Sequence, residues 1–252
     1  MARNFDGVDD SVENTAVTMT DNDLTAMIWV YAETEGEGGG GTFFLLQNSA
    51  ITRYILLGFE GGASVNRPVS LFHWGTERTI AGVDNDITLN TWQHWALRFT
   101  TSSNKIDIVR NGTQLATLSG DPGTDAAPTQ LFVGAKSAGD SAFDGKLADF
   151  RWYEGVALTD TEIDMARRGP LMRPDKLKVW WPLWGTTSPE PDWSGNNKHG
   201  TVTGAVRDDH PPGISAIWLA PQSRLSQVAA AAAVGADGGG PRTFAAFVPG
   251  FP

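Results

Sequence analysis

The sequence has no cysteine among its 252 residues. That excludes disulfides, thiolate nucleophiles and zinc–thiolate sites, and leaves stability to packing or to an oxygen-liganded cation. Positive charge is scarce: 19 Lys and Arg stand against 29 Asp and Glu, for a net charge of −10. A face that tracks phosphates needs a Lys or Arg for each phosphate it neutralises, so nucleic acid is not expected as a partner. Long apolar runs are missing, so no membrane association is expected. The opening Met1-Ala2-Arg3-Asn4-Phe5-Asp6-Gly7 has no apolar stretch before a small-residue cleavage site, so an N-terminal secretory signal is not expected either. Helical periodicity is almost absent, which sets aside parallel α/β folds.

What the chain does have is aromatic and β-branched sequence cut by turn residues. Ten Trp and twelve Phe accompany 29 Gly. Strands are expected in Thr25–Tyr31, Thr42–Leu46, Arg53–Phe59, Val69–Trp74, Trp92–Phe99, Lys105–Val109, Gln114–Leu118 and Leu131–Gly134. Asn111-Gly112 supplies the two positive φ angles of a tight hairpin. Many short strands at regular spacing predict an all-β fold, a two-sheet antiparallel sandwich. One short helix is expected where Thr159-Asp160-Thr161-Glu162 forms a capping box, ending before Gly169-Pro170.

The stretches FDGVDDSVE, TAMIWVYAE, TWQHWALRFTTSSNKIDIVRNGTQL and FDGKLADFRWYEGVALTDTEI, in that order, resemble the concanavalin A-like, laminin G-like domain family over about residues 4–169. The resemblance implies a jelly-roll sandwich whose first and last strands are neighbours. The two Phe-Asp-Gly triplets, at residues 5–7 and 143–145, are then two ends of one domain and not copies of a repeat.

Composition shifts after residue 170. The segment 170–212 is rich in Pro and Trp, and Asp192–Val202 resembles the start of a second domain of the same family. Too little chain follows to build a second sandwich, so the segment is expected to bury its tryptophans against the first domain or a neighbour. Residues 213–252 carry Ala and Gly runs with apolar residues Trp218, Phe244, Phe247 and Phe251, and are read as an extended C-terminal arm that anchors the protein to other subunits.

The glucanase string Glu-x-Asp-x-x-Glu is absent; the nearest approach, Glu162 to Arg167, falls on the expected helix. His73, His94, His199 and His210 have no second His at ligand spacing, and His94 is expected as a buried, hydrogen-bonded structural residue. The chain is therefore read as non-enzymatic. A structural Ca²⁺ is expected where the chain ends meet, with Asp6, Asp9, Asp10, Asp144 and Asp149 gathered there and Asp6 and Asp149 as the candidate ligands; the resemblance implies backbone oxygens near the first strand and Asp149. Asp84-Asn85-Asp86 is a lesser candidate, with a polar turn as the plainer reading. For a sugar, Trp74 is the best stacking candidate, against core packing as the simpler alternative.

Two functions fit. The first is a virion structural protein, a capsid decoration or tail-associated protein resembling the laminin G-like proteins of tailed phages. It would sit on the virion surface, anchored by its arm to other virion subunits or to copies of itself as a homo-oligomer. The second is an extracellular carbohydrate-binding lectin or adhesin module with cell-surface glycans as partners.

Overall fold

Period-two alternation becomes two antiparallel sheets in the computed structural model. It describes residues 1–19, 23–120, 127–136, 140–209 and 211, the side chain of Trp74 excepted. The strands are β1 (Ala2–Asp6), β2 (Ser11–Asn14), β3 (Leu24–Ala32), β4 (Thr42–Gln47), β5 (Arg53–Phe59), β6 (Pro68–Trp74), β7 (Glu77–Ala81), β8 (Gln93–Thr100), β9 (Lys105–Arg110), β10 (Thr113–Ser119), β11 (Gln130–Val133), β12 (Asp144–Glu154), β13 (Leu177–Trp181), β14 (Thr201–Thr203) and β15 (Val206–Asp208). Helix α1 (Asp160–Ala166) follows β12. One sheet has eight strands in the order β10-β9-β8-β3-β12-β1-β15, with β13 also paired to β12; the other has seven, β14-β2-β11-β4-β5-β6-β7. This is the jelly-roll sandwich expected.

The two Phe-Asp-Gly triplets lie side by side. Strand β1 runs antiparallel to β12 with Asp6 opposite Asp144 and Phe5 opposite Gly145. The Phe5 and Phe143 rings meet edge to face at 6.4 Å, and Phe143 meets Phe43 at 5.5 Å. Gly134 passes so close that a Cβ there would sit 2.3 Å from the Phe5 ring, at a φ of +88° that an L side chain resists. Trp95, Trp152, Trp181, Phe44, Phe72 and Phe99 complete the inter-sheet core, all fully buried. Each such side chain stabilises the fold by roughly 1.5–3 kcal/mol.

Local signals are met where the chemistry is local. Asn111 and Gly112 take φ of 52° and 83° in the β9–β10 turn. At α1 the Thr159 hydroxyl accepts from the Glu162 amide at 3.2 Å while the Glu162 carboxylate accepts from the Thr159 amide at 2.9 Å. Ile163 and Ala166 then pack on the outward face of the eight-stranded sheet against Met27, Ala96, Val109 and Tyr153.

The boundary expected at residue 169 does not divide the fold. β13 extends the eight-stranded sheet, β14 pairs with β2 at the edge of the other sheet, and β15 pairs with β1. Arg3, buried in β1, bridges Glu190 at 2.7 Å and donates to the Thr187 and Ala205 carbonyls. The string read as a second domain start caps β13 instead. Asp192 Oδ1 accepts from the Trp180 and Ser194 amides, Oδ2 accepts from the Lys198 amide, and Asn196 donates to the Leu177 carbonyl. Trp181 is in the core, whereas Trp180 and Trp184 are half-buried around Trp193, with ring centroids 5.7 and 4.8 Å from it. Trp218, Phe244, Phe247, Phe251 and His210 lie outside the described residues.

Candidate functional site

The outward faces of the two sheets differ. α1 and the chain around it lie on the eight-stranded sheet; the seven-stranded sheet turns Leu45, Leu56, Val69 and Phe132 outward, flanked by Tyr54, Leu71 and Ala81. Alternation produces this face: in β5, Ile55 and Leu57 enter the inter-sheet core while Tyr54 and Leu56 point away from it. A cleft of about 260 Å³ opens here, lined by Leu45, Gln47, Ile51, Tyr54, Leu56, Leu71, Lys136 and Asp140. Three leucines, one aromatic ring and a few polar groups at the margin match the usual make-up of a small-ligand site.

Tyr54 is fixed in place by its cross-strand neighbours. His73 lies opposite Tyr54 in β6, and Glu77 lies opposite His73 in β7. The Tyr54 and His73 rings stack at 5.2 Å and 8° between planes. The Tyr54 hydroxyl donates to the Glu77 carboxylate. Burial and this carboxylate push the Tyr54 hydroxyl up to about 12, so it stays protonated and donating at neutral pH. The His73 Nδ1 lies 2.6 Å from the Thr52 carbonyl and donates to it as the Nδ1–H tautomer. Gln47 donates to Gln130 at 3.2 Å. The ring is thus held before any ligand arrives.

Trp74 ends β6 with its backbone opposite Arg53, one residue beyond His73; its side chain is not described. The sequence reading passed over Tyr54, Gln47, Ile51, Lys136 and Asp140. The signal for Tyr54 was the alternation in Arg53-Tyr54-Ile55-Leu56-Leu57, masked because both faces of this strand are apolar.

The expected cation ligands separate into two places. Asp6, Asp9 and Asp10 converge, with one carboxylate oxygen from each within 4.8 Å of the others. Asp10 is only 6% exposed and accepts from the Asp6 amide at 3.0 Å. Burial first, then the Asp6 and Asp9 charges, push it up to about 6. Asp144 faces Asp6 across the β1–β12 pair and accepts from the Thr34 hydroxyl at 2.7 Å. Asp149 is not brought to this cluster: five residues of strand, about 16 Å, separate it from Asp144. It sits in a bulge of β12 at φ 52°, ion-paired to Arg151 through both oxygens at 3.0 and 2.8 Å, and accepts from the Trp180 indole at 2.8 Å. Its lone pairs belong to a buried ion pair. Asp84 and Asp86 accept from the Val65 and Val83 amides and pair with Arg67 and Arg110, which makes 84–86 a polar turn.

His94 is buried, but its Nδ1 makes no hydrogen bond. The ring packs edge-on to Trp29 at 5.3 Å; burial, with the Arg151 and Arg167 guanidiniums, lowers it to about 3. It is therefore neutral throughout the physiological range. In the stretch nearest a glucanase string, Glu162 caps α1 and Asp164 pairs with Arg167 and Arg168. Among the described residues, no helix is long and apolar enough to cross a membrane.

Comparison with known proteins fits this geometry. The profile of the concanavalin A-like lectin/glucanases superfamily matches residues 6–164. A candidate carbohydrate binding protein from Bacteroides ovatus is similar in structure, with a TM-score of 0.60 and 18% identity over 85% of this chain and 61% of that one. A heptameric SAP-like pentraxin from Limulus polyphemus has a TM-score of 0.51 and 13% identity over 65% of this chain and 79% of that one. Among curated proteins, none matches the chain. The pairing of β1 with β12, the two-sheet jelly roll and the profile match over more than half the sequence make this chain a member of the concanavalin A-like lectin/glucanases superfamily.

Proposed function

We propose that the chain is a carbohydrate-binding module that holds a sugar on the outward face of the seven-stranded sheet. One observation carries the reading: the cleft over β4, β5 and β6 presents a pre-positioned aromatic ring, Tyr54, with an amide, an ammonium and a carboxylate from Gln47, Lys136 and Asp140 around it. Sugars need both kinds of surface, since their ring C–H groups pack on aromatic or aliphatic faces and their hydroxyls need polar partners. The carbohydrate binding described for the Bacteroides ovatus relative lends support at the level of fold alone. No catalytic role is proposed, because the carboxylates nearest a glucanase arrangement are engaged in capping and ion pairing.

A structural cation of the calcium type belongs to the same reading, now at Asp6, Asp9 and Asp10 and without Asp149. These hard oxygen donors suit such an ion, and a bound cation would offset the charge of Asp10, which burial has made costly to ionise. The rival reading, assembly into a virion as a self-associating subunit, leaned on three features: the expected lack of a secretory signal, the Asp192 string and the C-terminal arm. The Asp192 string now has another explanation, as the cap on β13, and the C-terminal arm lies outside the described residues. A sugar-holding surface suits a cell exterior or a virion surface alike.

The test is glycan-array binding of the full chain beside Tyr54→Ala. Specific binding that Tyr54→Ala removes, with unfolding otherwise unchanged, supports the reading; no binding to any glycan overturns it.

A further inference from the structure

The cleft's rim contains a residue in an unfavourable conformation. Ile51, in the turn between β4 and β5, has φ 56° and is 59% exposed. Left-handed backbone is uncommon for any non-glycine residue and an outlier for a β-branched one; Gly or Asn takes it with far less strain. The turn is nonetheless firmly built. Asn48 Oδ1 accepts from the Thr52 and Arg53 amides at 2.9 and 3.2 Å, Asn48 Nδ2 donates to the Thr52 hydroxyl at 2.9 Å, and the Ile51 amide donates to the Asn48 carbonyl at 3.0 Å. The turn therefore holds an apolar side chain out toward water, at a conformational cost, beside the cleft. Strain of this kind is concentrated where a ligand is held.

The rest of the lining says what that ligand carries. Leu45 and Leu56, each 3% exposed, and half-buried Leu71 make the apolar lining with Tyr54 and Ile51, while Gln47, Lys136 and Asp140 supply the polar groups. A hydroxyl against the leucines loses its water without gaining a partner, whereas a methyl group there gains from burial. One ammonium and one carboxylate leave the lining balanced, and the chain as a whole carries −10, so an anionic sugar is disfavoured.

We propose that the cleft selects a neutral sugar bearing a methyl group, a 6-deoxyhexose or an N-acetylhexosamine, and that Ile51 sets this preference by packing on the methyl. The proposal rests on the carbohydrate-binding reading above.

The test is calorimetric titration of the full chain with matched pairs: galactose against 6-deoxygalactose, and glucose against N-acetylglucosamine. The first pair exchanges a hydroxymethyl for a methyl; the second exchanges a hydroxyl for an acetamido group, and N-formylglucosamine beside N-acetylglucosamine isolates the acetyl methyl. The methyl-bearing member of at least one pair is expected to bind tenfold or more tighter, the usual discrimination of an apolar pocket by one such group. Ile51→Gly and Ile51→Asn, both at ease with this φ, are expected to keep or raise the urea midpoint while reducing the preference to less than about threefold. Equal affinity within both pairs, or a preference that survives both substitutions, overturns the proposal and leaves carbohydrate binding standing. Binding to no sugar overturns both.

Discussion

The two sheets carry apolar residues on their outward faces and use them differently. On the eight-stranded sheet, Met27, Ala96, Val109 and Tyr153 are closed over by Leu158, Ile163 and Ala166 from the chain at α1, and Arg98 is tied to Asp160 at 2.6 Å. On the seven-stranded sheet, Leu45 and Leu56 are also buried, at 3% exposure, but with half-buried Leu71 and Tyr54 and exposed Ile51 they line a cleft. Apolar character alone therefore does not mark a binding face. What separates a second core from a site is how much of the face is left to line a cleft, and among the described residues the helix begun by the capping box at Thr159 lies on the eight-stranded sheet alone.

The largest effect should come from breaking the clamp that joins β1 to the segment between β13 and β14. Removing the Arg3 partner by Glu190→Ala leaves a guanidinium buried and unpaired, and should cost about 3–5 kcal/mol in urea unfolding. Truncation after Gly169, which deletes β13, β14, β15 and the core residue Trp181, should abolish the cooperative transition altogether. A stable truncated sandwich would show that the two sheets are complete without these strands.

His94, under the covered face, gives the next effect. Its folded value is lowered from 6.5 to about 3, so the unfolded chain binds a proton that the folded one refuses. Stability from this group is present above 6.5 and is lost as pH falls toward 3, by on the order of 4 kcal/mol. His94→Gln should flatten that acid limb in melting curves taken from pH 7 to 3; an unchanged slope would place the titration elsewhere.

Asp10 acts in the opposite sense and more weakly. Its folded value is raised from 3.8 to about 6, so the folded chain holds the proton longer, and stability falls as pH rises from about 4 to 6, by about 2–3 kcal/mol. Added Ca²⁺ should restore the loss above pH 6, and Asp10→Asn should remove both the loss and the restoration. A Ca²⁺-independent melting point at pH 7 would contradict a cation at Asp6, Asp9 and Asp10.

The smallest effect sharpens the comparison of the two faces most. Thr159→Ala, which removes the hydroxyl that accepts from the Glu162 amide at 3.2 Å, should lower stability by about 1 kcal/mol and leave glycan affinity unchanged. Tyr54→Ala should do the reverse. If Thr159→Ala weakens sugar binding as strongly as Tyr54→Ala does, the two faces are not independent.

Much of this was legible in the sequence, for a physical reason. The Asn111-Gly112 turn, the Thr159 capping box and the strand runs are set by neighbours within a few residues, and the paired Phe-Asp-Gly triplets by the resemblance. The site was less legible because its parts are distant in the chain: Tyr54, His73 and Glu77 meet only through the β5–β6–β7 register. Asp149 misled because a bulge at φ 52° turns it toward Arg151 and Trp180, and a bulge leaves no mark in alternation. The Asp192 string looked like a beginning because the hydrogen bonds that make it a cap, to the Trp180 amide and from Asn196 to the Leu177 carbonyl, depend on β13 already being docked.

The central claim is that the cleft on the outward face of the seven-stranded sheet is where ligand sits. Hydrogen–deuterium exchange of the full chain, with and without the tightest glycan found, tests it most directly. The account predicts added protection in the 45–56 segment, at Leu71 and beside Lys136 and Asp140, with β12 and α1 unchanged. Protection confined to the covered face, around Asp149, Trp180 and Trp193, would contradict it.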